Sequence, residues 1–276
     1  MRIHAIQTGT VAIKERQRHG VGRGLVRQVN TLLDAHWTDF LPIYVWVIEH
    51  PEGLIVVDTG ETAQAMQPNY FPWWNPYFRL AVRENVQPHE EIGPQLRALG
   101  LSPDDVRWVV LTHPHTDHAG GLAHFPRAEI LLSRTEYDAA PGIGGQLRGA
   151  LPQHWPTWFA PRLVHFRDTP FGPFASSYRL THAGDVTLVP TPGHTVGHMS
   201  VVVQDGDMTL FFAGDTTYTE QLLLAGAVDG VSLDERTARH TLSTIQQLVH
   251  SMPTVYLPSH DPASAARLTA RQPAAA

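Results

Sequence analysis

The run His-Pro-His-Thr-Asp-His at residues 113–118 directly follows an apolar segment and holds four potential metal ligands within six residues. Imidazole and carboxylate groups together suit zinc, iron, manganese or cobalt. Because side chains alternate between the two faces of an extended chain, His113 and His115 should point the same way. Asp117 and His118 lie beyond the strand, so their side chains can turn toward a second position in space. The run therefore indicates two metal ions close together, an arrangement that serves hydrolysis.

Three more candidate ligands follow strand-like runs later in the chain. The runs are residues 186–189, 208–214 and 254–257, and the ligands that follow them are His194, Asp215 and His260. Runs of this length and β-branched content are typical of buried strands. Side chains at strand ends, held by short Gly/Pro turns, are placed rigidly by the sheet behind them. We therefore expect these residues to belong to the same site as the first run.

The sequence pattern also predicts the strands and helices that must position these residues. Residues 44–49 and 54–58 predict a β-hairpin, and Glu90–Leu99 predicts a helix that ends at Gly100. Capping-box patterns beginning at Ser133 and Ser232 predict two more helix starts. Early strands followed by strands mixed with helices favour an α/β fold of sheets covered by helices. We predict a single domain over residues 1–276.

Two segments depart from this layered pattern, at residues 61–89 and 141–184. Both are rich in aromatic residues and proline, and the second also in glycine. Such insertions are local cores under a loop, walls of a substrate pocket, or a dimer interface, and the pattern leaves the three open. Six aromatic residues are candidates for a substrate pocket: Trp73, Trp74, Tyr77, Trp155, Trp158 and Phe159.

Composition narrows the function classes. Hydrophobic residues make up 42% and charged residues 17% of the 276 positions, as in an ordinary globular protein. The formal net charge of −6 argues against nucleic acid as a partner. The absence of cysteine excludes disulfides and thiolate metal sites. No apolar stretch is long enough for a signal peptide or a membrane span, so we expect a cytoplasmic protein with no membrane partner.

The complete ligand set resembles the signature of the metallo-β-lactamase fold superfamily: His-x-His-x-Asp-His, then a distant His, an Asp and a final His. All of these positions are filled in order, at His113, His115, Asp117, His118, His194, Asp215 and His260. The resemblance extends over nearly the whole chain, from the turn at residues 57–60 to the last ligand. It implies an α/β fold of the four-layer αβ/βα sandwich type.

The resemblance also implies a role for each ligand. One ion would take His113, His115 and His194, the other would take Asp117, His118 and His260, and Asp215 would bridge the two. Water held between two divalent ions loses a proton readily and becomes the nucleophile. The ions would be zinc, or else iron, manganese or cobalt.

Two nearby residues have more than one interpretation. Asp58 is similar to the superfamily's buried aspartate that orients a ligand imidazole, or else it is a turn residue. His198 supports a ligand in the same way or makes a local structural hydrogen bond.

Within this superfamily the chain is most similar to the N-acyl-homoserine lactonases, which quench quorum sensing. Their bridging aspartate is followed three residues later by a tyrosine, and here Tyr218 follows Asp215. The lactonase run also continues with Ala-Gly-Gly, as residues 119–121 do here. The resemblance implies opening of a lactone ring, with Tyr218 contacting a substrate oxygen and Asp117 relaying a proton. It also implies a homodimer in which residues 16–39 pack on the partner.

Two alternatives stay open. An organophosphate triesterase or a broad lactone and aryl-ester esterase would use the same ligands, so only the pocket separates them from a lactonase. A non-catalytic protein that binds a small molecule would be expected to lose ligands, and none is missing here.

Overall fold

The computed structural model describes residues 1–275. Its internal contacts divide the chain into two compact units. The first unit comprises residues 1–13 and 37–163, and the second comprises residues 14–36 and everything from Val164 onward. Each unit is made of two separate segments, because residues 14–36 interrupt the sequence of the first unit and belong to the second. The single domain over residues 1–276 stays a prediction.

Strands and helices alternate through most of the chain. The strands are β1 (Arg2–Ile13), β2 (Leu41–His50), β3 (Gly53–Val57), β4 (Val82–Asn85), β5 (Val106–Val110), β6 (Glu129–Ser133), β7 (Arg162–Val164), β8 (Tyr178–Arg179), β9 (Val186–Pro190), β10 (Met199–Asp205), β11 (Met208–Gly214) and β12 (Thr254–Pro258). The helices are α1 (Glu15–Arg18), α2 (Gly24–Leu32), α3 (Pro76–Leu80), α4 (Ile92–Ala98), α5 (Thr116–Ala119), α6 (Arg134–Ala139), α7 (Gly142–Leu147), α8 (Glu220–Leu224), α9 (Glu235–Ser251) and α10 (Ser264–Ala270).

The first unit is built on a seven-stranded sheet in the order β4-β1-β2-β3-β5-β6-β7. Strands β2 and β3 form the predicted antiparallel hairpin, whereas β3, β5 and β6 run parallel. Parallel strands end at the same edge of a sheet, so the segments after β3 and β5 emerge side by side. Apolar residues such as Val56, Val109 and Leu122 form a fully buried core against this sheet.

The second unit is built on a five-stranded sheet in the order β12-β11-β10-β9-β8. Its strands pair antiparallel except for β11 and β12, which run parallel and end together. Helix α9 contributes Leu242, Ile245 and Leu248 to the unit's core, where they cluster with Phe211 and Tyr256.

Most predicted elements are confirmed, and the predicted α/β class is confirmed with its two sheets. The four strands that lead to candidate ligands are β5, β9, β11 and β12. The predicted helix at Glu90–Leu99 spans Ile92–Ala98. The capping box at Ser232 is wrong as a helix start, because α9 begins at Glu235 and Asp234 caps it by accepting from two backbone N–H groups. Within residues 1–275 no helix is long and apolar enough to cross a membrane.

Candidate metal centre

The four candidate ligands of the first unit lie in the turn after β5 and in the short helix α5. Ligand atoms of His113 and His115 lie within 4.8 Å of one another, as do those of His113 and His118. His118 Nε2 is 3.9 Å from Asp117 Oδ1. His113 and His118 are buried, so their imidazoles are surrounded by protein rather than by solvent. The sequence-predicted run is thus brought into one compact group.

Asp58 orients His118, which supports the first of its two interpretations. The residue follows β3, is fully buried and adopts the left-handed backbone conformation with φ of 60°. Its Oδ2 accepts from His118 Nδ1 at 2.8 Å, and its two oxygens also accept from the backbone N–H and hydroxyl of Thr112. A residue other than glycine in this backbone conformation is often found at a functional site. With Nδ1 engaged in this contact, Nε2 is the nitrogen that His118 would offer to a metal ion.

The other two histidines of the first unit are oriented by their neighbours as well. Because the Thr112 hydroxyl donates to Asp58, it accepts from His113 Nδ1 at 3.0 Å. His115 Nε2 donates to the carbonyl of Arg148 at 2.6 Å. These contacts would leave Nε2 of His113 and Nδ1 of His115 to face a metal ion.

In the second unit Asp215 lies between His194 and His260. Its Oδ2 is 3.5 Å from His194 Nε2, and its Oδ1 is 3.4 Å from His260 Nε2. Two ligand atoms that are each about 2.1 Å from one tetrahedral ion lie about 3.4 Å apart. The donor set of the second unit therefore fits a metal ion on each side of the carboxylate. All three side chains are buried.

Asp229 orients His194 as Asp58 orients His118. Its Oδ2 accepts from His194 Nδ1 at 2.8 Å, and its Oδ1 accepts from the backbone N–H groups of Val231 and Ser232. Burial alone would raise the pKa of the Asp229 carboxyl, but His194 and the hydrogen bonds from Ser232 outweigh burial and lower it. Asp229 therefore stays ionised and holds the His194 proton on Nδ1.

His198 holds the backbone of Asp215 in place, which is the local structural role. Its Nε2 accepts from the Asp215 N–H at 3.1 Å, and its Nδ1 contacts the Thr191 hydroxyl at 2.8 Å. On the other side of the turn, the Tyr256 hydroxyl contacts the hydroxyls of Thr216 and Thr217 at 2.6 and 2.9 Å. The segment that carries Asp215 is thus fixed from both sides.

Tyr218 lies deep in the second unit and is only 3% exposed. Its ring stacks on that of His260 with 5.8 Å between the ring centroids. Its hydroxyl accepts a hydrogen bond from Gln17 Nε2 at 2.9 Å. The phenol is therefore next to a candidate metal ligand, and its contact with a substrate oxygen stays a prediction.

The carboxyl groups of Glu61 and Glu84 form a buried pair near Asp117 in the first unit. Glu61 packs against Gly120, and its Oε1 accepts from the backbone N–H of Thr62 at 2.8 Å. Burial, followed by the charge of nearby Asp117, raises the pKa of the Glu61 carboxyl to about 8. Burial and Glu61 likewise raise the pKa of Glu84. Mutual repulsion in an apolar setting keeps this pair from ionising fully at neutral pH.

A cavity of about 210 Å³ opens beside the same ligand turn. Both sequence insertions contribute to its wall, together with α5. Six of the lining residues are Tyr70, Thr116, Gly120, Leu151, His154 and Trp155. Tyr70 and His154 stack with their ring centroids 4.1 Å apart. The interpretation of the insertions as pocket walls gains support from this cavity.

The six aromatic pocket candidates are distributed unevenly. Trp155 lines the cavity and lies 4.7 Å, between ring centroids, from Phe159. Trp73, Trp74 and Trp158 are exposed at the surface, and Tyr77 is half-buried against Phe78. Their part in substrate binding stays a prediction.

Several supporting residues were missed by sequence reasoning. Asp229, Arg148 and Gln17 do not follow strands, so the pattern of an apolar run ending in a ligand cannot find them. The Asp-Gly pair at residues 229–230 indicates a turn and was the local sign that could have drawn attention to Asp229. Thr112 is adjacent to the motif, but its supporting role was missed because its hydroxyl was not considered as a metal ligand.

Known proteins resemble this chain in sequence and fold. Residues 38–260 match the family model described as the metallo-beta-lactamase superfamily. A probable metallo-hydrolase, Rv2300c of Mycobacterium tuberculosis, is 36% identical over 193 residues, which are 68% of this chain but only 59% of that protein. The N-acyl homoserine lactonase AttM of Azorhizobium caulinodans is 30% identical over 209 residues, 69% of this chain and 74% of that protein.

A solved structure also shares the fold. It is that of an N-acyl homoserine lactone hydrolase with the product N-hexanoyl-L-homoserine bound at the catalytic metal centre. That structure superposes with a TM-score of 0.74 at 20% identity and covers 94% of this chain and 93% of its own. Taken with the ligand geometry of each unit, the match over residues 38–260 shows that this chain belongs to the metallo-β-lactamase superfamily.

Proposed function

We propose that this protein is a metal-dependent hydrolase with two metal ions that opens the lactone ring of N-acyl-homoserine lactones. The observation that carries the two-ion assignment is the setting of Asp215, whose two oxygens face different imidazoles at 3.5 and 3.4 Å. A carboxylate with one metal-binding nitrogen beside each oxygen is suited to bridge two ions.

The ligands of the two units would combine in this proposal. One ion would be held by His113, His115 and His194, and the other by Asp117, His118 and His260, with Asp215 shared. All donors are imidazole nitrogens or carboxylate oxygens, and ligand positions about 3.4 Å apart suit tetrahedral coordination, which favours zinc. When bound, the two ions would supply a nucleophile from water and polarise the ester carbonyl.

The protein's own side chains would orient the ligands, stabilise developing charge and transfer a proton. Asp58 and Asp229 hold the protons of two ligand imidazoles on Nδ1 and so keep Nε2 available to the ions. Tyr218 is a hydroxyl donor that would stabilise the charge developing on the substrate's carbonyl oxygen. Asp117 would pass a proton to the ring oxygen when the ring opens, and the product would then carry a carboxylate and a free hydroxyl.

The lactone as substrate is supported by the relatives and by Tyr218. Both AttM and the solved hydrolase are named for N-acyl homoserine lactones. The cavity beside α5 would give the acyl chain a place to lie, with Tyr70, Leu151 and Trp155 in its wall beside polar residues such as Gln64 and Glu91. An amphipathic substrate with a polar ring and an apolar chain would match a combination of metal ligands and a partly apolar cavity.

The experiment is a comparison of substrates with metal-loaded protein. N-acyl-homoserine lactones of several chain lengths, a nitrophenyl ester and a paraoxon-type triester are supplied at equal concentration, and acid release is followed. We expect the lactones to give the largest kcat/KM, with activity abolished in His115→Ala. A larger kcat/KM for the triester or the aryl ester would replace the lactonase with one of the alternative hydrolases. Metal content well below two ions per chain would contradict the two-ion site.

We also propose that the protein is a homodimer. Helix α2 and its C-cap residue Leu33 expose an apolar face. Leu25, Val29 and Leu33 are spaced four residues apart and are exposed by 78%, 49% and 74%. Exposed apolar stripes of this kind are characteristic of association sites. A second copy of the same helix presents the same stripe, as a two-fold interface requires.

A further inference from the structure

Residues 14–36, which we call the N-terminal strap, are held firmly against the loop that carries Asp229. Within the second unit, Gly20 N–H donates to the Val228 carbonyl and Gly230 N–H donates to the Gln17 carbonyl, both at 2.8 Å. The Thr31 hydroxyl donates to the Gly230 carbonyl at 3.3 Å. A Cβ at Gly230 would collide with the Arg16 carbonyl and with Thr31. The strap and this loop therefore form one packed structure.

The strap also reaches the phenol of Tyr218. Gln17, in the short helix α1, is only 2% exposed, and its Nε2 donates to the Tyr218 hydroxyl at 2.9 Å. The two residues are 201 positions apart in the sequence. Because the backbone of Gln17 is anchored by Gly230, its side chain approaches Tyr218 from a fixed position. A buried amide held in this way has little freedom to release the phenol.

We infer that Gln17 is a positioning residue that fixes the hydroxyl of Tyr218 for its contact with the substrate. An amide N–H that donates to the phenol oxygen occupies one of its lone pairs. The phenol's own proton is then directed away from the amide of Gln17. The ring is held by its stack on His260, so Gln17 sets the direction of the O–H bond rather than the place of the ring.

This inference rests on the proposed function only for its kinetic consequence. The contact itself joins two residues that the ligand motif does not include. If Gln17 acts through Tyr218, removing the amide should lower kcat and leave KM nearly unchanged, because the interaction matters chiefly in the transition state. If Gln17 merely stabilises the strap, its loss should lower stability without any dependence on Tyr218.

The test is a double-mutant cycle with Gln17→Met and Tyr218→Phe in the metal-loaded protein. Methionine keeps the length of the side chain and removes the donor. We expect Gln17→Met to lower kcat about five- to tenfold in the wild-type background and to have no further effect with Tyr218→Phe. Thr31→Val is the matched control, since it removes a buried strap hydrogen bond without touching Tyr218. It should lower Tm but leave kcat within about twofold of the wild type.

A second readout does not depend on activity. In protein containing tyrosine labelled at Cζ, the resonance of Tyr218 is identified by its loss in Tyr218→Phe. Gln17→Met should shift this resonance, whereas Thr31→Val should not. An unmoved resonance, or a kcat loss of the same size in both backgrounds, would overturn the inference. If the wild type opens no lactone, the proposed function fails, and the resonance alone then decides whether Gln17 holds the phenol.

Should Gln17→Met fail to fold, Gln17→Glu serves the same cycle. It keeps the shape of the side chain, and its carboxylate accepts from the phenol instead of donating to it. We expect a kcat loss at least as large, because the phenol proton is then drawn away from the substrate.

Discussion

At the scale of single residues, two buried aspartates perform the same task in different units. Asp58 accepts the Nδ1 proton of His118, and Asp229 accepts the Nδ1 proton of His194, both at 2.8 Å. A carboxylate on the far nitrogen fixes the imidazole's tautomer and raises its basicity toward a metal. We therefore expect the affinity of the candidate site for metal to depend on two aspartates that are not themselves candidate ligands.

Replacing Asp229 with asparagine tests this dependence. Asp229→Asn keeps the shape and removes the charge, so we expect metal affinity to fall about 10- to 100-fold. The measurement is competition against a chelator of known affinity. Asp234→Asn is the control, because Asp234 is in the same unit and caps α9 without contacting a ligand. Equal metal affinity in Asp229→Asn and the wild type would contradict the role given to Asp229.

The buried pair of Glu61 and Glu84 predicts how stability depends on pH in metal-free protein. The pKa of Glu61 is raised from an ordinary 4.5 to about 8, so the folded state retains a proton that the unfolded chain releases. Stability should therefore fall as pH rises from about 5 to about 8 and level off above that range. Glu61→Gln, which cannot ionise, should reduce this fall when urea unfolding is followed across the range. An equally steep fall in the variant would show that Glu61 is not its source.

At the scale of elements, the turn that carries His194 is positioned by helix α9. Thr241 in this helix donates to the Pro192 carbonyl at 2.5 Å. Gly193 has φ of 153°, and a Cβ there would lie 2.7 Å from the Ala238 Cα. Glycine therefore permits the close approach between turn and helix that places His194.

Gly193→Ala should displace this turn. We expect lower thermal stability together with weaker metal binding, because the collision moves His194 relative to Asp215. Gly206→Ala is the control: φ there is 64°, so it carries the backbone strain, but no atom lies within 4 Å of the added Cβ. It should cost about 1 kcal/mol and leave metal binding intact. If the two variants bind metal equally well, close packing at Gly193 does not place His194.

The elements also show where prediction from sequence succeeds. Strands β5, β9, β11 and β12 are predictable because each is a continuous buried run, and the candidate ligands follow their ends. Strand β1 was not predicted, since Arg2–Ile13 mixes polar and apolar residues and becomes a strand by pairing with β2 and β4. The start of α9 was misplaced because Ser232 instead donates its backbone N–H to Asp229.

At the scale of the whole molecule, the grouping of the candidate ligands could be predicted from the sequence, but the residues that support them could not. Asp229 is 35 positions from His194, Arg148 is 33 from His115, and Gln17 is 201 from Tyr218. These contacts join loops and short helices, whose placement depends on tertiary packing rather than on local pattern. The same limit applies to the aromatic insertions, whose exposed and cavity-lining residues look alike in sequence.

The exposed face of α2 predicts the state of assembly. We expect the wild type to be a dimer by light scattering at micromolar concentration, and Leu25→Glu combined with Leu33→Glu to be a monomer. A charge within an apolar interface is unpaired and costly. Leu233→Glu serves as the control, because Leu233 is exposed in the same unit but lies outside α2. A monomeric wild type would rule out the homodimer.

The most direct test of the proposed function is to follow the lactone's atoms. Metal-loaded protein is incubated with N-hexanoyl-homoserine lactone in heavy-oxygen water, and the product is identified by mass spectrometry. We predict N-hexanoyl-homoserine with one heavy oxygen in its carboxylate, since water attacks the ring carbonyl. Asp215→Asn should form this product at least a hundredfold more slowly. Release of free homoserine lactone, label in the alcohol, or an undiminished rate in Asp215→Asn would contradict the account.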